Sequence, residues 1–311
     1  MQKSNEDVFV FLDGNWLLNR AFSVFQTRYD KDRIIIKTFI GWVCDYAVKL
    51  KATHLCVAFD GDKVFRHEAY EGYKASRKAR KAGVGIGTGV SGLNHQVDDE
   101  PSSEEASPYD CLDDLKVELN RLGLKWYQDP RLEADDLLVS AACHLSSKAK
   151  RIYLVTLDKD VNQAVVGNVL KFVPAVGKNT VDQVVDEEAL KLMPPYLTGE
   201  GLIDYQTLIG DSTDDIPKLM GPSKAARLLR EHGTLRNYVS ATEEGKDYWD
   251  RNQEELKRNR TLVRLLPKAW EPSKESLALR PVEVRNTGKI PKAWFELMGS
   301  LTSSKNKKRL F

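Results

Sequence analysis

Carboxylates recur where apolar runs stop. Asp13 follows the run at residues 8–12, Asp60 the run at 54–59, and Asp158 and Asp160 the run at 152–157. Glu133, Asp135 and Asp136 open a helical stretch in LEADD, and Asp211 and Asp214 lie in IGDSTDDIP. Apolar runs this short read as buried parallel strands. In an open α/β sheet the carboxyl ends of such strands share one edge, where ligands bind. Each residue alone has a plain alternative: an Asp after a strand forms turns, and acids in a first helical turn complement the helix dipole. Together they conflict, since two carboxylates about 6 Å apart repel by roughly 3 kcal/mol at an effective dielectric near 20. Six or more need cations. An all-oxygen set with no His or Cys nearby in sequence favours a hard divalent ion, Mg²⁺ or Mn²⁺, over zinc. Two such ions a few ångströms apart hydrolyse phosphodiesters in many enzymes, one activating water and the other stabilising the leaving oxygen.

The elements that must hold these carboxylates alternate. The strands at 8–12 and 54–59 are separated by a helix at 34–50. An amphipathic helix at 110–122, a short strand at 124–127, a helix opening at Glu133 and the strand at 152–157 follow. This βα order predicts a mostly parallel sheet with helices on its faces. From about residue 190 the pattern is helical, with helices expected at 201–209, 223–232 and 243–265, and a further one at 291–298 before a basic tail. Residues 78–107 hold five glycines between Gly83 and Gly92 and then DDEPSSEEAS, too little apolar surface to fold alone, so mobility is expected there.

The 311 residues are 41% hydrophobic and 30% charged, an ordinary globular balance. With no run of eighteen apolar residues and no secretory signal at the start, a cytoplasmic protein without a membrane span is expected. Four scattered cysteines fit reduced thiols better than a disulfide frame or a zinc site. A net charge of +2 hides local poles: residues 63–81 carry seven Lys or Arg against two Glu, while acids collect at 98–105 and 211–215. Positive patches point to a polyanion and acidic clusters to cations, which together suggest metal-dependent chemistry on nucleic acid. There is no HExxH pair, GxSxG elbow or P-loop; the GxGxxG at 87–92 lacks a preceding strand and is read as loop.

Five fragments in order, DGN at 13–15, AFDGDKVFRHEAYEGYKASR at 58–77, LEADD at 132–136, TLDKD at 156–160 and IGDSTDDIP at 209–217, resemble the flap endonuclease and 5′→3′ exonuclease family. That family includes phage enzymes and the 5′ nuclease domain of bacterial DNA polymerase I. The resemblance implies a PIN-like, mostly parallel α/β sheet with flanking helices, a flexible arch, and a helical helix-hairpin-helix-type region that grips duplex DNA. It implies domains at 1–190, 191–270 and 271–311. It assigns Asp13, Asp60, Glu133 and Asp135 to a first metal ion and Asp158, Asp160 and Asp211 to a second, with Asp135 standing between them. Asp136 and Asp214 complete the acidic pocket. Lys74 and Arg77 match the pair that meets the scissile phosphate, the plain alternative being a solvated helix face. Arg66 also matches a family position, as a DNA contact or a structural residue, and Lys218, Ser223, Lys224 and Arg227 are the expected duplex contacts at a helix start.

Two departures qualify the resemblance. A glycine-rich, then acidic stretch stands where an apolar or basic arch helix is expected, which weakens the case for threading a 5′ strand. The segment 217–224 keeps one glycine of the family's loop, which weakens the case for a bound K⁺. The expected activity is that of a Mg²⁺-dependent, structure-specific 5′ nuclease acting on DNA 5′ ends, flaps or RNA primers, as a monomer in replication or repair alongside replication proteins. Read as a whole chain it leaves no room for a polymerase, so a standalone nuclease of phage or bacterial type is expected. A catalytically inactive, branched-DNA-binding accessory protein is the alternative, and it is disfavoured because every matched position is acidic. An RNA-cleaving PIN-type enzyme is disfavoured by the Lys74 region and the helical second half.

Overall fold

The computed structural model describes residues 6–25, 30–76, 107–177 and 179–279. Arg77, all but the last residue of the expected arch at 78–107, the expected helix at 291–298 and the basic tail lie outside the described residues. The chain divides into two compact units, one of 1–64, 108–199 and 265–311, the other of 65–107 and 200–264.

The first unit is a six-stranded sheet in the order β3-β2-β1-β4-β5-β6. Its strands are β1 (Val8–Asp13), β2 (His54–Phe59), β3 (Trp126–Gln128), β4 (Arg151–Val155), β5 (Val169–Val173) and β6 (Gln183–Val185). All neighbours pair in parallel except β5 with β6. Strands β1 and β2 are unbroken apolar runs because both faces are covered. Val10, Leu12, Leu55, Val57 and Phe59 pack with α1 (Gly14–Phe25), α2 (Lys31–Lys49) and α4 (Leu112–Arg121) through Leu17, Leu18, Phe39, Val43, Leu115 and Leu119. Each such side chain contributes about 1.5–3 kcal/mol of burial. From the other side Phe11 meets Trp270 edge-on, and Trp270 stacks on Tyr127 at 4.4 Å.

The topology decides where the acids go. The chain leaves β1 toward β2 and β3 on one side and toward β4 and β5 on the other, so the carboxyl end of β1 is a switch point, the usual ligand crevice of an open sheet. Register sharpens this: Asp13 lies beside Ala58 and Leu12 beside Val155. Asp60 and Thr156 therefore emerge next to Asp13. Helix α5 (Ala134–Leu145) opens at the same edge, because Gly61 N–H donates to Leu132 O at 2.7 Å and Lys63 N–H to Pro130 O at 2.8 Å.

The second unit is helical, with α3 (Phe65–Ala69), α7 (Gly199–Ile209), α8 (Pro222–His232), α9 (Leu235–Ala241) and α10 (Glu243–Val263). Helix α6 (Glu187–Leu192) and α11 (Lys274–Leu277) belong to the first unit. Tyr73, Ile203, Ile216, Leu262 and Val263 form a buried cluster of the second unit. The segment 65–76, which the sequence placed with the sheet domain, thus packs with 200–264. Buried Asn259 on α10 fastens the α7–α8 connection, its Nδ2 donating to Thr207 O at 3.1 Å and Pro217 O at 2.7 Å. At Gly210, φ is 65°, and a Cβ would stand 2.4 Å from Ile216 O, so only glycine fits. Among the described residues no helix is long and apolar enough to cross a membrane.

Gly61 is under a similar constraint: a Cβ there would lie 2.2 Å from Asp129 O and 2.3 Å from Pro130 O, both backbone atoms that cannot swing away. Gly61→Ala should therefore lower unfolding stability by about 1–3 kcal/mol, measured as a shift of the urea midpoint at unchanged slope.

Candidate metal centre

Asp13, Asp60 and Asp158 are each held by a neighbour that the turn chemistry supplies. Asp13 Oδ1 accepts the Trp16 N–H at 2.9 Å and its Oδ2 accepts the Thr156 hydroxyl at 2.9 Å. Asn15 clamps Asp60 reciprocally: Asn15 Nδ2 donates to Asp60 Oδ2 at 2.7 Å, and the Asp60 N–H donates to Asn15 Oδ1 at 2.9 Å. Asp60 Oδ1 also accepts the Ala134 N–H at 2.8 Å, tying the end of β2 to the first turn of α5. Thr156 accepts the Asp158 N–H at 3.0 Å, and Asp158 Oδ1 in turn accepts the Asp160 N–H at 2.7 Å. A chain of short-range bonds thus runs from Asp13 to Asp160.

Asp135 is the centre of the conflict. The residue is half-buried, and its Oδ1 is buried and meets no hydrogen-bond donor among the described residues. Burial pushes its carboxyl well above the usual range, and Asp158, Asp13, Asp60 and Glu133 push it further. Asp13 is raised to about 7, by burial first and then by Asp60 and Asp158, against the lowering effect of the Trp16 amide and the Thr156 hydroxyl. Lys171 is 4% exposed, and its ammonium donates to the carbonyls of Leu157 and Asp158. Burial lowers its pKa, opposed by Asp158, Asp135 and Asp160. One buried ammonium cannot balance this many carboxylates. The residues fit a hard divalent ion: all-oxygen donors, one buried carboxylate oxygen with no donor, and a field that disfavours ionisation until a cation arrives. Among the described residues no three such groups already converge on one point.

Two of the expected residues have structural partners. Asp136 is fully buried at the third position of α5, where its carboxylate accepts the Glu133 N–H at 3.3 Å and the Leu266 N–H at 3.0 Å. It completes a capping box with Glu133 and anchors residue 266, a structural use of a carboxylate that the resemblance places in the metal pocket. Arg66 is 1% exposed, with Nε donating to Leu262 O at 2.8 Å and Nη2 to Arg264 O at 3.1 Å. It is a core arginine of the second unit, which matches the structural one of the two roles the sequence left open.

The other expected residues of the second unit are placed as follows. Lys74 Nζ lies 3.8 Å from Asp214 Oδ2 and 5.0 Å from the Tyr73 ring centroid. Asp211 Oδ1 accepts the Thr213 N–H at 2.7 Å. Lys218, Ser223, Lys224 and Arg227 are exposed at or beside the start of α8, and Lys224 pairs with Glu244 at 3.3 Å. The sequence reading missed Asn15, Thr156 and Lys171. Asn15 and Thr156 lay inside quoted motifs; the signal for Lys171 was a lone lysine in the apolar run VLKFV.

Residues 8–192 match the family of the 5′-3′ exonuclease N-terminal resolvase-like domain. The chain is 28% identical over 287 residues to DNA polymerase I of Mycobacterium bovis, covering 88% of this chain and 29% of that protein. It is 25% identical over 284 residues to DNA polymerase I of Bacillus caldotenax, covering 88% and 28%. The chain thus spans less than a third of the length of these relatives. Among solved structures, the T5 5′-exonuclease with bound zinc ions superposes with a TM-score of 0.64 at 19% identity, covering 84% of this chain and 90% of that one. Human GEN1 in complex with Holliday junction DNA gives 0.53 at 12% identity, covering 97% and 76%. These structures share the fold.

The raised carboxyls carry a pH signature. Asp13 titrates near 7 in the folded chain against 3.8 unfolded, so between those values the folded state binds more protons. Its stability contribution is full below about pH 4 and is lost as pH rises through 7. The metal-free protein should melt at a lower temperature at pH 8 than at pH 5, and Mg²⁺ should raise the midpoint more at pH 8 than at pH 5, as followed by scanning calorimetry with and without EDTA.

Proposed function

Because the chain belongs to the 5′-3′ exonuclease family, we propose that it is a divalent-metal-dependent, structure-specific 5′ nuclease that hydrolyses phosphodiester bonds at DNA 5′ ends and flaps. The observation that carries this reading is Asp135: a half-buried residue with one buried carboxylate oxygen lacking a donor, in the fields of four other carboxylates. Asp13, Asp60, Glu133, Asp135, Asp158 and Asp160 would hold Mg²⁺. Bound ions would supply water activation and charge stabilisation at the leaving oxygen. Everything else falls to the chain itself. Asn15, Thr156 and the first turn of α5 fix carboxylates that would otherwise spread, and Lys171 steadies the backbone of the Asp158 turn.

Lys74 has the role of an electrostatic donor to the phosphate undergoing reaction, a function that demands a preorganised ammonium. Lys218, Ser223, Lys224 and Arg227 offer a duplex backbone exposed positive charge and a helix start, where amides and dipole favour phosphate. The T5 and GEN1 likenesses, one with metal ions and the other with DNA, support the fold-level part of this proposal. Replication or repair is the setting it implies, in the cytoplasm.

Labelled flap, nicked, gapped and blunt duplexes incubated with Mg²⁺ and resolved by product length test the reading. Asp158→Asn with Asp160→Asn should nearly abolish cleavage while leaving DNA affinity intact. Lys74→Ala should lower the single-turnover rate by about two decades or more, as loss of one preorganised donor does. Full activity of the double Asn variant in Mg²⁺-restored buffer would contradict the metal assignment.

A further inference from the structure

Lys74 and Asp215 are both held in the left-handed backbone region, at φ 53° and 57°. For residues other than glycine this conformation is strained and persists only where the surroundings hold it. The surroundings here are each other. Asp215 Oδ2 accepts both the Ser76 N–H at 2.9 Å and the Ser76 hydroxyl at 2.8 Å, and the Lys74 N–H donates to Asp214 O at 3.0 Å. Two segments some 139 residues apart in sequence are thereby fastened. Tyr73, 2% exposed, packs beneath with Ile203 and Ile216, and its hydroxyl reaches Asp214 Oδ2 at 3.4 Å.

The consequence falls on the lysine. A lysine side chain has four rotatable bonds and no preferred direction when its backbone is loose. With its backbone strained into place and its neighbours on both sides bonded to the 214–215 turn, Lys74 projects its ammonium to within 3.8 Å of the Asp214 carboxylate. The turn itself is closed by the Asp211–Ile216 pair, Asp211 N–H to Ile216 O at 3.0 Å and Ile216 N–H to Asp211 O at 2.8 Å, so the anchor is rigid.

We propose that Ser76 and Asp215 form a latch that fixes Lys74 for the chemical step, and that they are positioning residues for cleavage. This rests on the proposed role of Lys74. The latch explains why an acid follows Asp214: a side chain with an acceptor oxygen and tolerance of positive φ is required at 215.

The test is single-turnover cleavage of a 5′-flap duplex at saturating enzyme with Mg²⁺, together with flap affinity in Ca²⁺ and a melting curve for every variant. Asp215→Ala should lower the saturated rate by about tenfold to a hundredfold, as loss of orientation does, with flap affinity unchanged. Ser76→Ala, which keeps the backbone N–H, should lose less, and Asp215→Asn, which keeps an acceptor oxygen, should recover most of the rate. Asp215→Ala placed on Lys74→Ala should cost nothing further, because the two act as one unit. An equal loss in the Lys74→Ala background, or a normal rate for both Ser76→Ala and Asp215→Ala, would overturn the latch and leave Lys74 its role. A normal saturated rate for Lys74→Ala would instead overturn the role of Lys74, and the latch with it.

Discussion

Asp13 and the Oδ1 of Asp135 are buried at the carboxyl edge of a parallel sheet, inside the fields of Asp60, Glu133 and Asp158. Their mutual repulsion is the constraint on which the first unit depends. At separations of several ångströms each like pair costs a few kcal/mol, comparable with the whole stability of a domain once several pairs are counted. The chain meets the arrangement by raising the Asp13 and Asp135 carboxyls toward their neutral form and by placing one buried ammonium, Lys171, behind the Asp158 turn. Neither device removes the conflict. A buried carboxylate oxygen that meets no donor is the residue of that conflict, and a divalent cation resolves it directly.

The fold can be read as support for this edge. Parallel pairing of β1 with both β2 and β4 brings three strand ends together, and covering both sheet faces with apolar side chains makes the alignment stiff. The turns then do the fine placement: Asn15 grips Asp60, Thr156 links Asp13 to Asp158, and the capping box of α5 orients Glu133. Asp136 belongs to this scaffold. The second unit uses the same means for an opposite charge, holding Lys74 through backbone strain and hydrogen bonds in place of burial.

Much of this was legible in the residue order. Continuous apolar runs ending in Asp announced β1, β2 and β4 and the edge they share, because a strand buried on both faces leaves no other pattern. The helices at 223–232 and 243–265 were plain from periodicity and caps, and differ from the structure by one or two residues. Strand β5 was hidden by Lys171, whose charge breaks the run VLKFV although its ammonium is spent on carbonyls. Strand β6, three residues long and at the sheet edge, carries too little pattern to read. The roles of Asp136 and Arg66 were out of reach for a different reason. Each is satisfied by backbone groups far away in sequence, Asp136 by Leu266 and Arg66 by Leu262 and Arg264, and long-range partners leave no mark on local spacing. The compact units cut across the sequence because 65–76 and 265–279 each pack with distant segments.

The central claim is that the acidic edge is held partly protonated until a divalent ion displaces those protons. Calorimetric titration of the metal-free protein with Mg²⁺, repeated at one pH in buffers of different ionisation enthalpy, counts the protons released on binding. With Asp13 titrating near 7, binding at pH 7 should release protons, and the release should fall toward zero by pH 9. Saturable binding with no proton release at pH 7, or release that does not diminish as pH rises, would contradict the account.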